Sequence, residues 1–129
     1  MIKYYGAQEA LPGTHALPLT AGDTPILLTS LAVPAHSPGD IITIMALVGW
    51  EKPAGRDIGQ IDLLLVRESQ PPVVLAQLDA NCFVRTDSLL DYQGPCHTEG
   101  SIIYSLHARS FDERALIRGP VRMTLTVEG

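Results

Sequence analysis

Four histidines, His15, His36, His97 and His107, and two cysteines, Cys82 and Cys96, are the residues best suited to ligate a metal or attack a substrate. A first-row metal needs three or four ligands converging from a supported shell. Cupin-type barrels supply two of theirs as His-x-His on one strand, and the chain has no such pair. Cys82 and Cys96 are too far apart for Cys-x-x-Cys chemistry, and no second pair completes a zinc set. Cys96 and His97 make a poor thiol–base pair, because neighbours on an extended chain point to opposite faces. There is no G-x-S-x-G elbow and no glycine-rich phosphate loop. The acid pairs Asp57/Asp62 and Asp87/Asp91 fall near strand ends, where carboxylates are usually solvated. Without an EF-hand-type loop, calcium would have only such carboxylates and backbone carbonyls to use. The expectation is a protein that is not an enzyme, with no catalytic residue, no cofactor and no metal site.

Two other readings concern contact rather than catalysis. The thiols of Cys82 and Cys96 have three states open to them: unpaired, bridged across the loop after Asn81, or bonded between chains. His107 sits beside Arg109 on the polar face of an alternating strand, either solvated or meeting its copies near a symmetry axis. Trp50, the lone tryptophan, is either a core residue or an interface anchor, a role in which tryptophan is enriched.

The element that would position these residues is Ile41–Trp50, IIMALV-rich and free of charge. A strand with one wet face alternates apolar and polar residues; this one is apolar on both, so both faces should be covered. It is too short to cross a bilayer as a helix. One face belongs to the domain's own core and the other to a partner chain. Ile42, Ile44, Ala46 and Val48, with Trp50, form one candidate contact set; Ile41, Met45 and Leu47 form the opposite one. The pattern does not decide between them.

With 129 residues the chain makes one domain able to bury a core. It is 46% hydrophobic and only 18% charged, lean for a soluble monomer and suited to burial between subunits. A net charge of −5 and scattered Lys and Arg exclude nucleic acid and membrane insertion as expected partners. No secretory signal is visible at the start, which implies synthesis and first folding in a cytoplasm.

Ten prolines and eleven glycines punctuate about eight short strands at roughly 8–12-residue spacing, as in an all-β sandwich or jelly roll. Strands are expected over residues 25–33, 41–50, 58–68, 73–78, 82–90, 102–109 and 121–127, with a short extended piece at 14–20. Ile102, Tyr104, Leu106 and Ala108 share one face, and Val121, Met123, Leu125 and Val127 point inward. Ser110–Leu116 reads as a helical turn or a loop. Residues 1–13 read as a flexible arm loosened by Gly6 and Pro12-Gly13 from a body spanning 14–129. Its Ile2, Tyr4 and Tyr5 are candidates to add a strand to a neighbouring subunit.

Four segments together carry a resemblance: Ala16–Thr20 running on through Thr24–Val33, then Leu47–Trp50, Gly100–Ala108 and Ile117–Thr124. In this order they are similar to the C-terminal domain of the collagen-like surface glycoproteins of bacterial spores, a branch of the C1q/TNF-like jelly rolls. The resemblance implies a jelly-roll sandwich that assembles as a tight homotrimer, with one sheet of each protomer around the threefold axis. There is no Gly-X-Y run, so the plan is closer to subunits of spore appendage fibres, whose N-terminal segments dock between stacked trimers. It further implies a location on a spore surface or in another extracellular assembly, with other spore-surface proteins as partners. The leading expectation is a non-enzymatic, self-trimerising structural subunit. A trimeric receptor- or carbohydrate-binding head is the alternative.

Overall fold

The computed structural model describes residues 1–10, 17–33, 37–96 and 101–129. Its strands are β1 (Ile2–Ala10), β2 (Leu19–Ala21), β3 (Ile26–Val33), β4 (Ile41–Glu51), β5 (Gly59–Glu68), β6 (Val73–Cys82), β7 (Arg85–Pro95), β8 (Ile102–Arg109) and β9 (Ala115–Glu128). No helix occurs among the described residues. The pairing is nested: β5 with β6, β4 with β7, β3 with β8 and β2 with β9, all antiparallel. One long hairpin folded over on itself in this way is a jelly roll. It yields a front sheet in the order β1-β9-β4-β7, with β2 also on β9, and a back sheet in the order β3-β8-β5-β6.

The sequence favours these elements because β-branched and aliphatic side chains alternate along them, and the turns supply what the strands cannot. Between β3 and β4, Gly39 adopts a φ of +92°, and the Asp40 N–H donates to the Ser37 carbonyl at 3.1 Å. Midway along the front sheet the register of β4 against β9 shifts between Val48 and Trp50. Gly49 lies at that shift; a Cβ there would come within 2.3 Å of the Gly119 carbonyl oxygen. The close backbone approach therefore requires glycine.

The core lies between the sheets. Ile44, Ala46 and Val48 from β4 meet Ile61 and Leu63 from β5, Leu106 and Ala108 from β8, and Ile117, Met123, Leu125 and Val127 from β9, all at 0% exposure. The faces read from sequence for the last two long strands hold: Tyr104, Leu106 and Ala108 are buried, as are Val121, Met123, Leu125 and Val127. Trp50 closes one end of the core and donates from Nε1 to the Ser88 hydroxyl at 2.9 Å, which satisfies its buried N–H.

The N-terminal segment corrects an expectation. Ile2–Ala10 is β1, paired antiparallel along β9 from Glu128 to Val121 in the same chain. It shares the edge of β9 with β2, which covers Ile117 to Ala115. Lys3 Nζ bonds both carboxylate oxygens of Asp40, at 2.9 and 3.0 Å, and the Tyr4 hydroxyl donates to the Ala32 carbonyl on β3. The reason is complementarity: β9 offers the edge that β4 leaves open, and Tyr4 and Ala10 of β1 pack against the core from it. The expected boundary between arm and body lies outside the described residues.

Candidate functional site

The two outer faces of the sandwich carry the groups left over from the core. On the front sheet, the outward side chains of β4 are Ile41, Thr43, Met45 and Leu47. Leu89 of β7 lies opposite Leu47, while Thr124 and Arg122 of β9 lie opposite Met45 and Leu47 on the other side. Tyr5 of β1 completes a shallow concavity of about 360 Å³ lined by Tyr5, Met45, Leu47, Leu89, Arg122 and Thr124. Tyr5 is 58% exposed, Leu89 49% and Met45 44%, so an apolar patch lies in the middle of this sheet; Ile41, 38% exposed, stands apart at the start of β4, beyond Thr43.

The two candidate sets of β4 differ in burial. Ile42, Ile44, Ala46, Val48 and Trp50, the first set, are no more than 2% exposed within a single chain. They are enclosed between the chain's own sheets and have no surface to offer a partner. The opposite set, with Met45 at its centre, faces outward. His107 is corrected too: it lies on the outer face of the back sheet, opposite Leu27 of β3 and Leu64 of β5. It therefore lies on the opposite side of the sandwich from Met45. There it lines a second concavity, about 300 Å³, with Pro25, Leu64, Val66, Glu68, Pro72 and Val74, and its Nδ1 is enclosed without a hydrogen-bond partner. Of the arm candidates, Ile2 and Tyr5 are exposed while Tyr4 packs against the core.

The cysteines are unbridged and both buried. The Cys96 N–H donates to the Asp40 carbonyl at the start of β4. Cys82 lies opposite Gly59, beside Trp50 and Lys52 at the far end. The 11 residues of β4, rising about 3.3 Å each, separate those ends by roughly 33 Å. A disulfide tolerates Cα atoms no more than about 7 Å apart, so the bridge within one chain, one of the three states left open by the sequence, is ruled out by distance. Burial pushes both thiols up; Asp40 raises Cys96 further, while Lys52 opposes the effect at Cys82.

A third feature was not singled out from the sequence. At one end of the back sheet's outer face, Gln60 and Asp62 of β5, Gln77 and Asp79 of β6 and Arg109 of β8 surround a recess of about 380 Å³, with Phe111, Asp112 and Arg114 from the β8–β9 turn at its rim. Asp62, 3% exposed, accepts from Arg109 Nε at 3.0 Å and from the Gln60 amide at 2.7 Å. The Gln77 amide donates to Asp79 at 3.0 Å. Asp62 and Asp79 face each other across the strand pair. Burial, then the hydrogen bond with Asp79, pushes the Asp62 carboxyl up, with Arg109 opposing. Asp79 is held down, first by the Gln77 amide and then by Asp62.

The β8–β9 turn is strained. Asp112 and Glu113 have φ of 60° and 53°, in a region that costs a non-glycine residue about 1–3 kcal/mol. Surrounding bonds hold it there: Ser110 Oγ donates to the Gln60 carbonyl and accepts from the Arg114 N–H, and the Phe111 and Asp112 N–H groups donate to the Gln60 and Asp23 side chains. Phe111 consequently stands at the rim, 52% exposed, with the Arg109 guanidinium 5.5 Å from its ring centre. Sequence spacing hides this cluster because its members come from three strands and a turn. The outward alternation of Gln60/Asp62 and Gln77/Asp79 was the signal available. Among the described residues, no group of three or more His, Cys, Asp or Glu converges to hold a metal. His15, His36 and His97 lie outside them.

No family model matches the sequence, and no curated protein does. Among solved structures, the dimeric latent PorU of Porphyromonas gingivalis is similar over 99% of this chain, at 9% identity and a TM-score of 0.54. The match takes in only 13% of PorU, so the chain corresponds to a small part of that protein. Weaker likenesses are to the zebrafish complement 1qA globular domain (12% identity, 94% of each chain, TM-score 0.47) and to a structure described as CBM4 (10% identity, 99% of this chain and 76% of that one, TM-score 0.38). The sheet order makes the chain a jelly roll, and its likeness to a part of PorU is one of fold alone.

Proposed function

We propose that this protein is a non-enzymatic structural subunit that trimerises through the outer face of its front sheet. The observation that carries the reading is the patch of Tyr5, Met45, Leu47 and Leu89, placed in the middle of a sheet where a monomer would present polar side chains. Its rim is polar: Arg122 on β9 to one side, Asp87 and Asp91 on β7 to the other, all exposed. An apolar centre with a polar rim is the anatomy of a protein contact, and opposite charges on the two flanks suit a second copy of the same surface. The threefold arrangement and the setting, a spore-surface or other extracellular fibre or appendage with companion surface proteins, rest on the sequence resemblance of Ala16–Thr20, Thr24–Val33, Leu47–Trp50, Gly100–Ala108 and Ile117–Thr124.

Light scattering on the eluting protein tests the reading. The expected mass is about three times that of the 13.9 kDa chain, held on dilution into the micromolar range. A single-chain mass at every concentration overturns it.

A further inference from the structure

We propose that the recess bounded by Gln60, Asp62, Gln77, Asp79, Arg109 and Phe111 is a binding subsite for a neutral pyranose sugar. A pyranose presents two kinds of surface at once. One is a flat C–H face that packs on an aromatic ring; the other is a rim of hydroxyls, each both donor and acceptor. A site for it needs an exposed ring and planar side chains that alternate in donor and acceptor character, fixed before the ligand arrives.

The recess has each of these. Phe111 provides the ring, half exposed at the rim and steadied by Arg109. Around it, amide and guanidinium donors alternate with carboxylate acceptors: Gln60 against Asp62, Asp62 against Arg109, Gln77 against Asp79. These bonds lock the rotamers while Gln77 and Asp79 remain at the surface. The strained turn is what holds the ring at the rim, and such backbone persists where the surroundings over-determine it. The lining sets three carboxyl groups, Asp62, Asp79 and Asp112, against two guanidinium groups, Arg109 and Arg114. That near balance gives neither a cation nor an anion a strong foothold, which is why the ligand assigned is uncharged. At about 380 Å³, the recess suits one or two rings. It lies on the back sheet, away from the front-sheet contact, so the proposal stands or falls independently of trimerisation.

The test is an NMR titration of the isotope-labelled full chain with cellobiose, lactose and diacetylchitobiose, and with inorganic phosphate as a separate probe. The expected result is saturable shifts from at least one disaccharide, confined to residues 60–62, 77–79 and 109–114, with Kd of about 1 mM. Phe111→Ala should weaken binding about tenfold. Gln77→Ala, an exposed position, should weaken it about three- to tenfold. Both changes are at the surface, and the dispersion of each variant's spectrum confirms its fold. Three results overturn the proposal: no shifts at these residues with any disaccharide, binding undiminished in a folded Phe111→Ala protein, or shifts from phosphate with none from the sugars.

Discussion

If the proposed trimer forms through the front sheet, placing two carboxylates there, Met45→Glu with Leu89→Glu, should separate it into folded monomers. Fully burying a Met or Leu side chain stabilises by about 1.5–3 kcal/mol. Met45 is 44% and Leu89 49% exposed in the single chain, so the part left for a partner to cover is worth about 0.7–1.5 kcal/mol each. Losing that from both residues removes about 1.5–3 kcal/mol per chain, which a trimer incurs three times over. The new carboxylates add a further cost of several kcal/mol per buried charge unless they find partners. Even the transfer loss alone, roughly 4–9 kcal/mol per trimer, corresponds to three or more powers of ten in the association constant. The fold should be spared, since neither side chain enters the core; the melting temperature of the monomeric variant serves as the control. Val74→Glu, at a 52% exposed position on the back sheet, should leave the mass unchanged. The assay is light scattering at matched concentrations. A trimeric Met45→Glu/Leu89→Glu protein, or a dissociated Val74→Glu protein, would refute the choice of face.

Three further outcomes follow from geometry already described. Burial pushes the Tyr104 phenol from its ordinary 10.0 up to about 12. The folded state thus keeps a proton that the unfolded chain releases above pH 10. This contribution is fully present below pH 10 and is lost as pH climbs towards 12, to a total of about 2–3 kcal/mol; Tyr104→Phe should flatten that limb of the stability curve in urea titrations. Thiol titration should find two reactive groups in denaturant and little reaction in the native protein, and a non-reducing gel should show no intrachain bridge, because Cys82 and Cys96 are 8% and 5% exposed at opposite ends of β4. Gly49→Ala should cost about 1–3 kcal/mol by chemical denaturation, the range for backbone displaced by an oversized group; an unchanged midpoint would show that β9 can move away from β4.

Most of the strands were legible, and the exceptions have physical causes. The span 102–109 came through to the residue because alternation and flanking turns agree there. Val121–Val127 was recognised, yet β9 begins at Ala115. Gly119-Pro120 reads as a turn but is accommodated where the pairing with β4 shifts register. β1 reads as a loose arm because Gly6 and Pro12-Gly13 weaken it locally, and a sequence does not display the open edge of β9 that receives it. Two-sided apolarity singled out β4, while the inward set depended on the phase of the fold: a one-residue change of phase exchanges Ile42 for Ile41. The recess around Phe111 left only a faint trace in the pattern, the outward alternation of Gln60/Asp62 and Gln77/Asp79, since its parts meet only once β5, β6 and β8 lie side by side.

The pairing of β1 with β9 brings the two ends of the chain together: the Gly129 N–H donates to the Met1 carbonyl at 3.0 Å, and the Met1 ammonium lies 3.3 Å from the Gly129 carbonyl. In topological terms the backbone is a nearly closed ring. Joining its ends with a few residues would leave every strand in place and shrink the conformational freedom of the unfolded chain. Opening the ring elsewhere, as between Phe83 and Val84 at 74% and 72% exposure, would give a permuted chain with the same sheets. The same closure makes the domain easy to host, for it can be spliced into a surface loop of another protein without forcing the loop's stems apart.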